Sequence, residues 1–206
     1  MQRKPLMVIL AAVIAVFALS LVLRSEPEKK PLRIGTMPTL TASIYAVGIE
    51  KGFFEKHNAY VELEIYKSSI ERDSALAAGR LDGVMTDMMG VINFLEQGFE
   101  LKITSSEYEN FGIMANASFS NEGNKELAGH NIGISEYTVT EYVADVLLEN
   151  EDVQKVNIPK IPDRMAAFLG NEISLGIFPE PFISMIKSNG GTELLSSGEV
   201  GIQPVV

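Results

Sequence analysis

The chain has 206 residues, of which 46% are hydrophobic and 21% charged; that is ample material for one domain or two small ones, and it excludes a disordered chain. The formal charge is −10, and because the first thirty residues carry a surplus of three cations, residues 31–206 stand at −13; this argues against nucleic acid and anionic lipid as partners, since both require a basic footprint. No cysteine occurs, so disulfides, thiolate nucleophiles, iron–sulfur clusters and cysteine-based zinc sites are excluded.

Taken in chain order, the first signal is Arg3 and Lys4 ahead of an uncharged apolar run, Leu6 to Leu23, followed by Arg24 and "SEPEKK". A secretory signal has this form, but its apolar region spans about 7–15 residues. This run approaches the roughly 20 residues of a membrane span, shows no polar face of a buried helix, and precedes no A-x-A-like cleavage site. It reads as an uncleaved N-terminal anchor in preference to a cleaved signal peptide. Either way the remainder is expected outside the cytoplasm, periplasmic or at the cell surface.

After the linker "RSEPEKKP", strand and helix patterns alternate. "LRIGTM" reads as a strand, "ASIYAVGIEKG" as a helix closed by Gly52, and "YVELEIY" as a half-buried strand. "IERDSALAAG" is a helix, "DGVMT" a short strand, "MGVINFLEQG" a helix closed by Gly98, and "ELKITSS" a strand. "FGIMANAS" opens a second series: a helix near "NKELAG", strand "NIGIS", a helix from Val139, strand "VQKVNI", helix "DRMAAFLG", strand "SLGIF" and helix "PFISMIKSN". This alternation predicts an α/β fold with mainly parallel sheets and helices on both faces. The two series share a unit: "ALAAGRLDGVM" and "AFLGNEISLGI" place a helix, a terminator and a strand at identical offsets. Gly79 and Asn171 correspond, and both suit the left-handed conformation at a helix C-terminus.

The stretch "NIGISEYTVTEYVADVLLEN" carries the most local information. Thr138 and Glu141 have capping-box spacing, with the hydroxyl on the Glu141 N–H and the carboxylate reaching back to the Thr138 N–H. The helix then begins at Val139 and buries Val139, Val143, Val146 and Leu147. Ser135, Glu136 and Tyr137 are left at the C-terminal end of a strand, the edge where open α/β sheets bind ligands. His57 and His130, in "EKHNAY" and "LAGHNIG", read as surface turn residues. No metal site and no cofactor is expected.

Four stretches together resemble one family: "LRIGTMPTLTASIYAVGIEKGFFEKHN", "ALAAGRLDGVMTD", "LAGHNIGIS" with its capped helix, and "FLGNEISLGIFPEPF". In this order they are similar to the extracytoplasmic solute-binding proteins of ABC importers that handle nitrate, sulfonates, taurine and the pyrimidine precursor of thiamine. The resemblance implies a two-lobed α/β fold of the periplasmic-binding-protein type 2 class that clamps a small-molecule solute and delivers it to an ABC-transporter permease. It also implies an order of domains: residues 1–30 as signal peptide or membrane anchor plus linker, 31–107 as an incomplete lobe one, 108–191 as lobe two, and 192–206 as the start of a return crossing to lobe one.

The site residues follow from the resemblance segment by segment. Thr39 and Thr41 come from the turn after the first strand, and Thr86 and Asp87 from the turn after "DGVM". Tyr108 and Asn110 stand at the first crossing, Ser135, Tyr137 and Thr138 at the capped junction, and Glu180 in "FPEPF". Structural roles compete with these: Thr138 and Asp87 suit helix caps, Tyr108 and Tyr137 suit interlobe packing, and Glu180 suits a rigid turn between prolines. Three features depart from the pattern. Ser174 stands where Asp is usual, and Glu136 beside a helix start opposes an anion there. The chain also ends at "GIQPVV" without a terminating signal, as a fragment of a longer protein would. With hydroxyls, rings and two carboxylates but no arginine among the candidates, the expected ligand is a neutral or amine-bearing heterocycle or amino acid. Two other functions remain open: the ligand-sensing extracytoplasmic domain of a membrane receptor, and, less favoured, a biosynthetic enzyme on the same fold. The related synthases carry a cysteine-rich motif, which this chain lacks.

Overall fold

The computed structural model describes residues 30–121 and 126–199. The chain divides into two units, Met1–Pro31 and Leu32–Val206. The expected anchor at Leu6–Leu23 lies outside the described residues; among those described, no helix is long and apolar enough to cross a membrane.

The second unit contains two sheets. The first has three parallel strands, β1 (Leu32–Thr36), β2 (Val61–Ile65) and β3 (Gly83–Val84), in the order β2-β1-β3. Its helices are α1 (Ala42–Glu50), α2 (Phe53–Lys56), α3 (Ser69–Ala77) and α4 (Met88–Glu96). Gly52 and Gly98 close helices as expected, at φ of 65° and 82°, a region open to glycine without steric cost. α2 was not foreseen from the sequence. The expected strand "ELKITSS" does not form. Leu101 and Ile103 instead line a groove beside Leu32, Ile34 and Val84, and without a partner strand to take its hydrogen bonds, alternation alone does not make a strand.

The second sheet has five strands in the order β6-β5-β7-β4-β8: β4 (Phe111–Ala115), β5 (Asn131–Ile134), β6 (Gln154–Asn157), β7 (Leu175–Pro179) and β8 (Thr192–Ser196). β5 runs parallel to β6 and β7, whereas β4 is antiparallel to β7 and β8. Helices α5 (Ala117–Asn121), α6 (Val139–Leu147), α7 (Ile161–Leu169) and α8 (Phe182–Ser188) accompany it. The period of two along the strands assigns the two faces. Phe111, Ile113, Ile132, Ile134, Leu175 and Ile177 pack on one face against Val139, Val143 and Ala144 of α6. Met114 and Phe178 turn to the other face, against Met165, Phe168, Ile183 and Ile186 of α7 and α8. Strand β8 differs from expectation: residues 192–196, read as the start of a return crossing, pair with β4 as the edge of this sheet. Of the helix expected near "NKELAG", residues 122–125 lie outside the described residues, and Leu127 to His130 form a turn closed by His130 N–H on Leu127 C=O at 3.1 Å.

The repeated unit keeps its geometry. Gly79 after α3 and Asn171 after α7 both adopt the left-handed conformation, at φ of 68° and 61°.

Candidate functional site

The parallel strands β1, β3, β5, β6 and β7 all point their C-terminal ends at one cleft. Its walls come from the turns that follow them: Met37, Thr39 and Thr41 after β1, Thr86 and Asp87 after β3, Ser135, Thr138, Val139 and Thr140 after β5, Pro159 after β6, and Pro179 at the end of β7. The empty space amounts to about 570 Å³ with its mouth included. Four contacts span the two sheets at its rim. Leu40 N–H donates to Glu180 C=O at 3.0 Å and Ile161 N–H to Lys67 C=O at 3.1 Å. Asn93 Nδ2 donates to Tyr137 C=O at 3.3 Å, and Lys160 pairs with Glu71 at 3.2 Å.

Six of the ten residues named from the sequence line the cleft: Thr39, Thr41, Thr86, Asp87, Ser135 and Thr138. Thr39 and Thr41 are buried and share a hydroxyl–hydroxyl hydrogen bond of 2.7 Å. Thr86 Oγ1 accepts from Arg72 Nη2 at 2.7 Å. Asp87 is the N-cap of α4 and accepts the Gly90 N–H at 2.9 Å. Four are outside it. Tyr108 and Tyr137 are 73% and 79% exposed, so neither ring packs in an interlobe gap as the sequence allowed. Asn110 Oδ1 accepts from the hydroxyls of Ser196 and Ser197 and from the Gly198 N–H, fastening the strand end behind the cleft. The Glu180 carboxylate accepts from the Ser184 N–H and hydroxyl in the first turn of α8.

At the junction after β5, α6 begins at Val139 as expected, but the cap is displaced from the expected box. Thr138 Oγ1 accepts the Thr140 N–H at 3.2 Å and donates to Ser135 C=O at 2.7 Å, while Glu141 takes the Tyr137 N–H at 2.6 Å. The Thr140 hydroxyl accepts the Ser135 N–H. Hydroxyls and backbone thus satisfy one another and present the Ser135 side chain to the cleft. Glu136, expected to oppose an anion here, is exposed outside the cleft and bonds Asn157 Nδ2 at 3.1 Å.

Sequence reasoning named no arginine and missed three charged residues of the cleft: Arg72, Arg164 and Glu109. Both arginines occupy the buried stripe of a helix, Arg72 with Ser69 and Ala75, Arg164 with Ile161, Met165 and Phe168. A cation at such a position was the legible signal, because a buried charge needs a partner. Arg72 has partners, bonding Asp73 at 2.8 Å as well as Thr86. Arg164 is 1% exposed. Its stem packs over Gly133, where a Cβ would lie 3.1 Å from Arg164 Cγ; its guanidinium is 5.4 Å from the Phe178 ring centre, and Nη1 donates to Ile158 C=O at 2.9 Å. Burial pushes its pKa down to about 10. Glu109, between exposed Tyr108 and Asn110, turns inward by strand-like alternation. Burial pushes its carboxyl up to about 7; the Thr39 hydroxyl opposes the shift, and Glu107 and Asp87 add to it.

Three buried side-chain atoms lack a hydrogen-bond partner among the described residues: Glu109 Oε1, Ser135 Oγ and Arg164 Nε. All three belong to residues lining this cleft. No cluster of metal-ligating side chains occurs among the described residues. His57 is exposed, and His130, expected at the surface, is half-buried against Phe119 at the opposite end of β5.

Comparison with solved structures identifies the fold. The ligand-binding component of an ABC-type import system from Staphylococcus aureus, solved with zinc bound, superposes with a TM-score of 0.70 at 18% identity over 86% of this chain and 66% of its own. The periplasmic aliphatic sulphonate-binding protein SsuA from Escherichia coli gives 0.62 at 16% identity, over 85% and 64%. The alkanesulfonate-binding protein SsuA from Xanthomonas axonopodis pv. citri, bound to MOPS, gives 0.65 at 14% identity, over 85% and 64%. The chain therefore spans just under two thirds of the length of these proteins and has their two-sheet α/β, periplasmic-binding-protein fold. Among curated proteins none matches in sequence. A family model matches residues 25–204, and by that match the chain belongs to the NMT1-like family.

Proposed function

We propose that the chain is the solute-capturing part of an extracytoplasmic binding protein, which holds a small organic molecule in the cleft and delivers it to an ABC importer. The observation that carries this reading is the convergence of three buried, unpartnered polar atoms, from Glu109, Ser135 and Arg164, on one cleft. Leaving such a group unsatisfied costs roughly 1–3 kcal/mol, and more for a charged one, so the cleft is built for a molecule that supplies the partners. The makeup of the cleft supports a binding site over a nucleophilic enzyme. Its hydroxyls have no histidine beside them, and the described histidines lie elsewhere. The resemblance to import components supports a permease as partner. The run Leu6–Leu23, with Arg3 and Lys4 before it, supports export and attachment to the membrane. The lobes divide near Tyr108, with the three-stranded sheet in lobe one and the five-stranded sheet in lobe two.

The test is thermal unfolding of the full chain with amines, pyrimidines, amino acids, sulfonates and nitrate. A solute bound only by the folded state raises the melting temperature in step with the logarithm of its concentration. The expected result is such a rise for one chemical class, abolished in Ser135→Ala. A folded protein indifferent to every class would overturn the reading.

A further inference from the structure

Resting on that reading, we infer that Glu109 stays a neutral carboxyl in the occupied cleft and donates its proton to a hydrogen-bond acceptor on the solute, so that capture is linked to the protonation of this one group. Glu109 lines the cleft, and its Oε1 is buried without a partner among the described residues. Its backbone is held in place. The next residue, Asn110, accepts from the hydroxyls of Ser196 and Ser197 and from the Gly198 N–H, which fastens the crossing before β4 at this point. Its charged neighbours are acidic: Asp87 from the N-cap of α4, and Glu107 from the crossing itself. The cations of the cleft are engaged elsewhere. Arg72 of α3 bonds Asp73 and Thr86, and Arg164 of α7 bonds Ile158 C=O and lies over the Phe178 ring; neither contributes to the shift of Glu109.

An ionised Glu109 would have to give up its water to the entering solute while two carboxylates stand beside it. Only the Thr39 hydroxyl, already shared with Thr41 at 2.7 Å, offsets this. Burial therefore raises the carboxyl to about 7, with Glu107 and Asp87 adding to the rise, and a solute that excludes water raises it further. A neutral carboxyl has a use that a carboxylate lacks, because it keeps one O–H donor. The two other unpartnered atoms suit the same kind of group: Arg164 Nε only donates, and the Ser135 hydroxyl can. A solute rich in acceptors thus serves all three, and the linkage holds whichever acceptor it carries. Above pH 7 the protonated, competent form shrinks about tenfold per unit, and the apparent affinity shrinks with it. Between pH 6 and pH 8.5 the loss is about thirtyfold. Arg164, at about 10, keeps its charge over this range.

The test is calorimetric titration of the full chain at pH 6 and pH 8.5. The probes are propionate, ethanesulfonate, nitrate and pyrimidine, which all bring acceptors, and ethylamine, which as its cation brings none; no probe titrates in this range. At least one acceptor-bearing probe is expected to bind about thirtyfold more weakly at pH 8.5. Close to one proton is taken up per molecule bound there, read from the binding enthalpies in two buffers of different ionisation heat. Glu109→Gln offers an amide N–H but cannot titrate, and is expected to show the same affinity at both pH values with no proton uptake. Ser135→Ala is expected to bind more weakly at both while keeping the pH ratio. The melting temperature of each unliganded variant at both pH values reports that it folds. A parent affinity that changes less than threefold, or a pH dependence that survives in Glu109→Gln, would overturn the inference. So would tighter binding at pH 8.5, the sign of a carboxylate that meets a cation. If ethylamine or an amino acid binds and no acceptor-bearing probe does, the inference falls while the solute-binding reading stands; if nothing binds to the folded protein, both fall.

Discussion

Arg164 shows how a single residue sets stability against function. A guanidinium sealed away from water and from any carboxylate is a liability to the unliganded fold, and exchanging such a charge for a well-packed apolar side chain is often neutral or stabilising. Arg164→Met, which keeps the stem over Gly133, is expected to leave the melting temperature of the free protein unchanged or higher while solute binding falls at least tenfold; thermal melts with and without ligand check both. Glu109 makes a pH-dependent contribution of the opposite kind to a salt-bridged acid. Its carboxyl titrates near 4.5 when unfolded and at about 7 when folded, so between those values the folded state holds the proton more tightly. Stability from this group is therefore complete below pH 4.5, falls as pH rises toward 7, and is lost above it, by about 3 kcal/mol at 1.36 kcal/mol per unit. The groups around it are Thr39, Asp87 and Glu107, with Arg72 and Arg164 elsewhere in the cleft. Glu109→Gln is expected to be more stable than the parent at pH 8 and indistinguishable at pH 4.5; urea unfolding across this range decides it.

At the scale of elements, the turns after the strands do most to shape the cleft. Helix α6 is anchored by Thr138 through one bond to the Thr140 N–H and another to Ser135 C=O. Thr138→Ala is expected to cost about 1 kcal/mol, as loss of an N-cap does, and to weaken ligand binding by freeing the turn that presents Ser135; denaturant unfolding and titration measure the two effects separately. The paired helix ends at Gly79 and Asn171 make a cleaner backbone test. Nothing lies within 4 Å of a Cβ added at Gly79, so Gly79→Ala probes only the left-handed conformation, and a loss of about 1 kcal/mol in urea unfolding is expected.

For the molecule as a whole, the contacts across the rim make closure of the cleft a measurable equilibrium. Lys160 and Glu71 come from opposite sheets, and both are about half exposed. An exposed pair is worth only about 0–1 kcal/mol, so Glu71→Lys is expected to weaken solute affinity no more than about fivefold, and Lys160→Glu in the same chain to restore it. Titrations at two salt concentrations test this, since screening should shrink the difference. A swap that fails to rescue would remove this pair from the closed state.

The sequence by itself determined the order of elements, because the period of each apolar pattern and the glycines that end helices are local. β1 to β7 and the major helices stand where those patterns placed them, and the matched helix ends at Gly79 and Asn171 share a backbone conformation. It also determined the family resemblance and the loops that reach the cleft. What failed locally did so by displacement: the α6 cap closed one residue away from its expected partners because Thr140 and Tyr137 competed for the same groups. The tertiary structure alone decided pairing and burial. "ELKITSS" alternates like a strand and found no partner, while residues 192–196 found one in β4. Burial decided the charge of the site. Glu109 looks like an ordinary surface ion in a linear reading, and Arg164 differs only by its place on the apolar stripe of a helix; α7 packed on the five-stranded sheet and the crossing before β4 turned them inward. An unpaired charge is a property of everything around it, so it emerges only when the segments that surround it have come together.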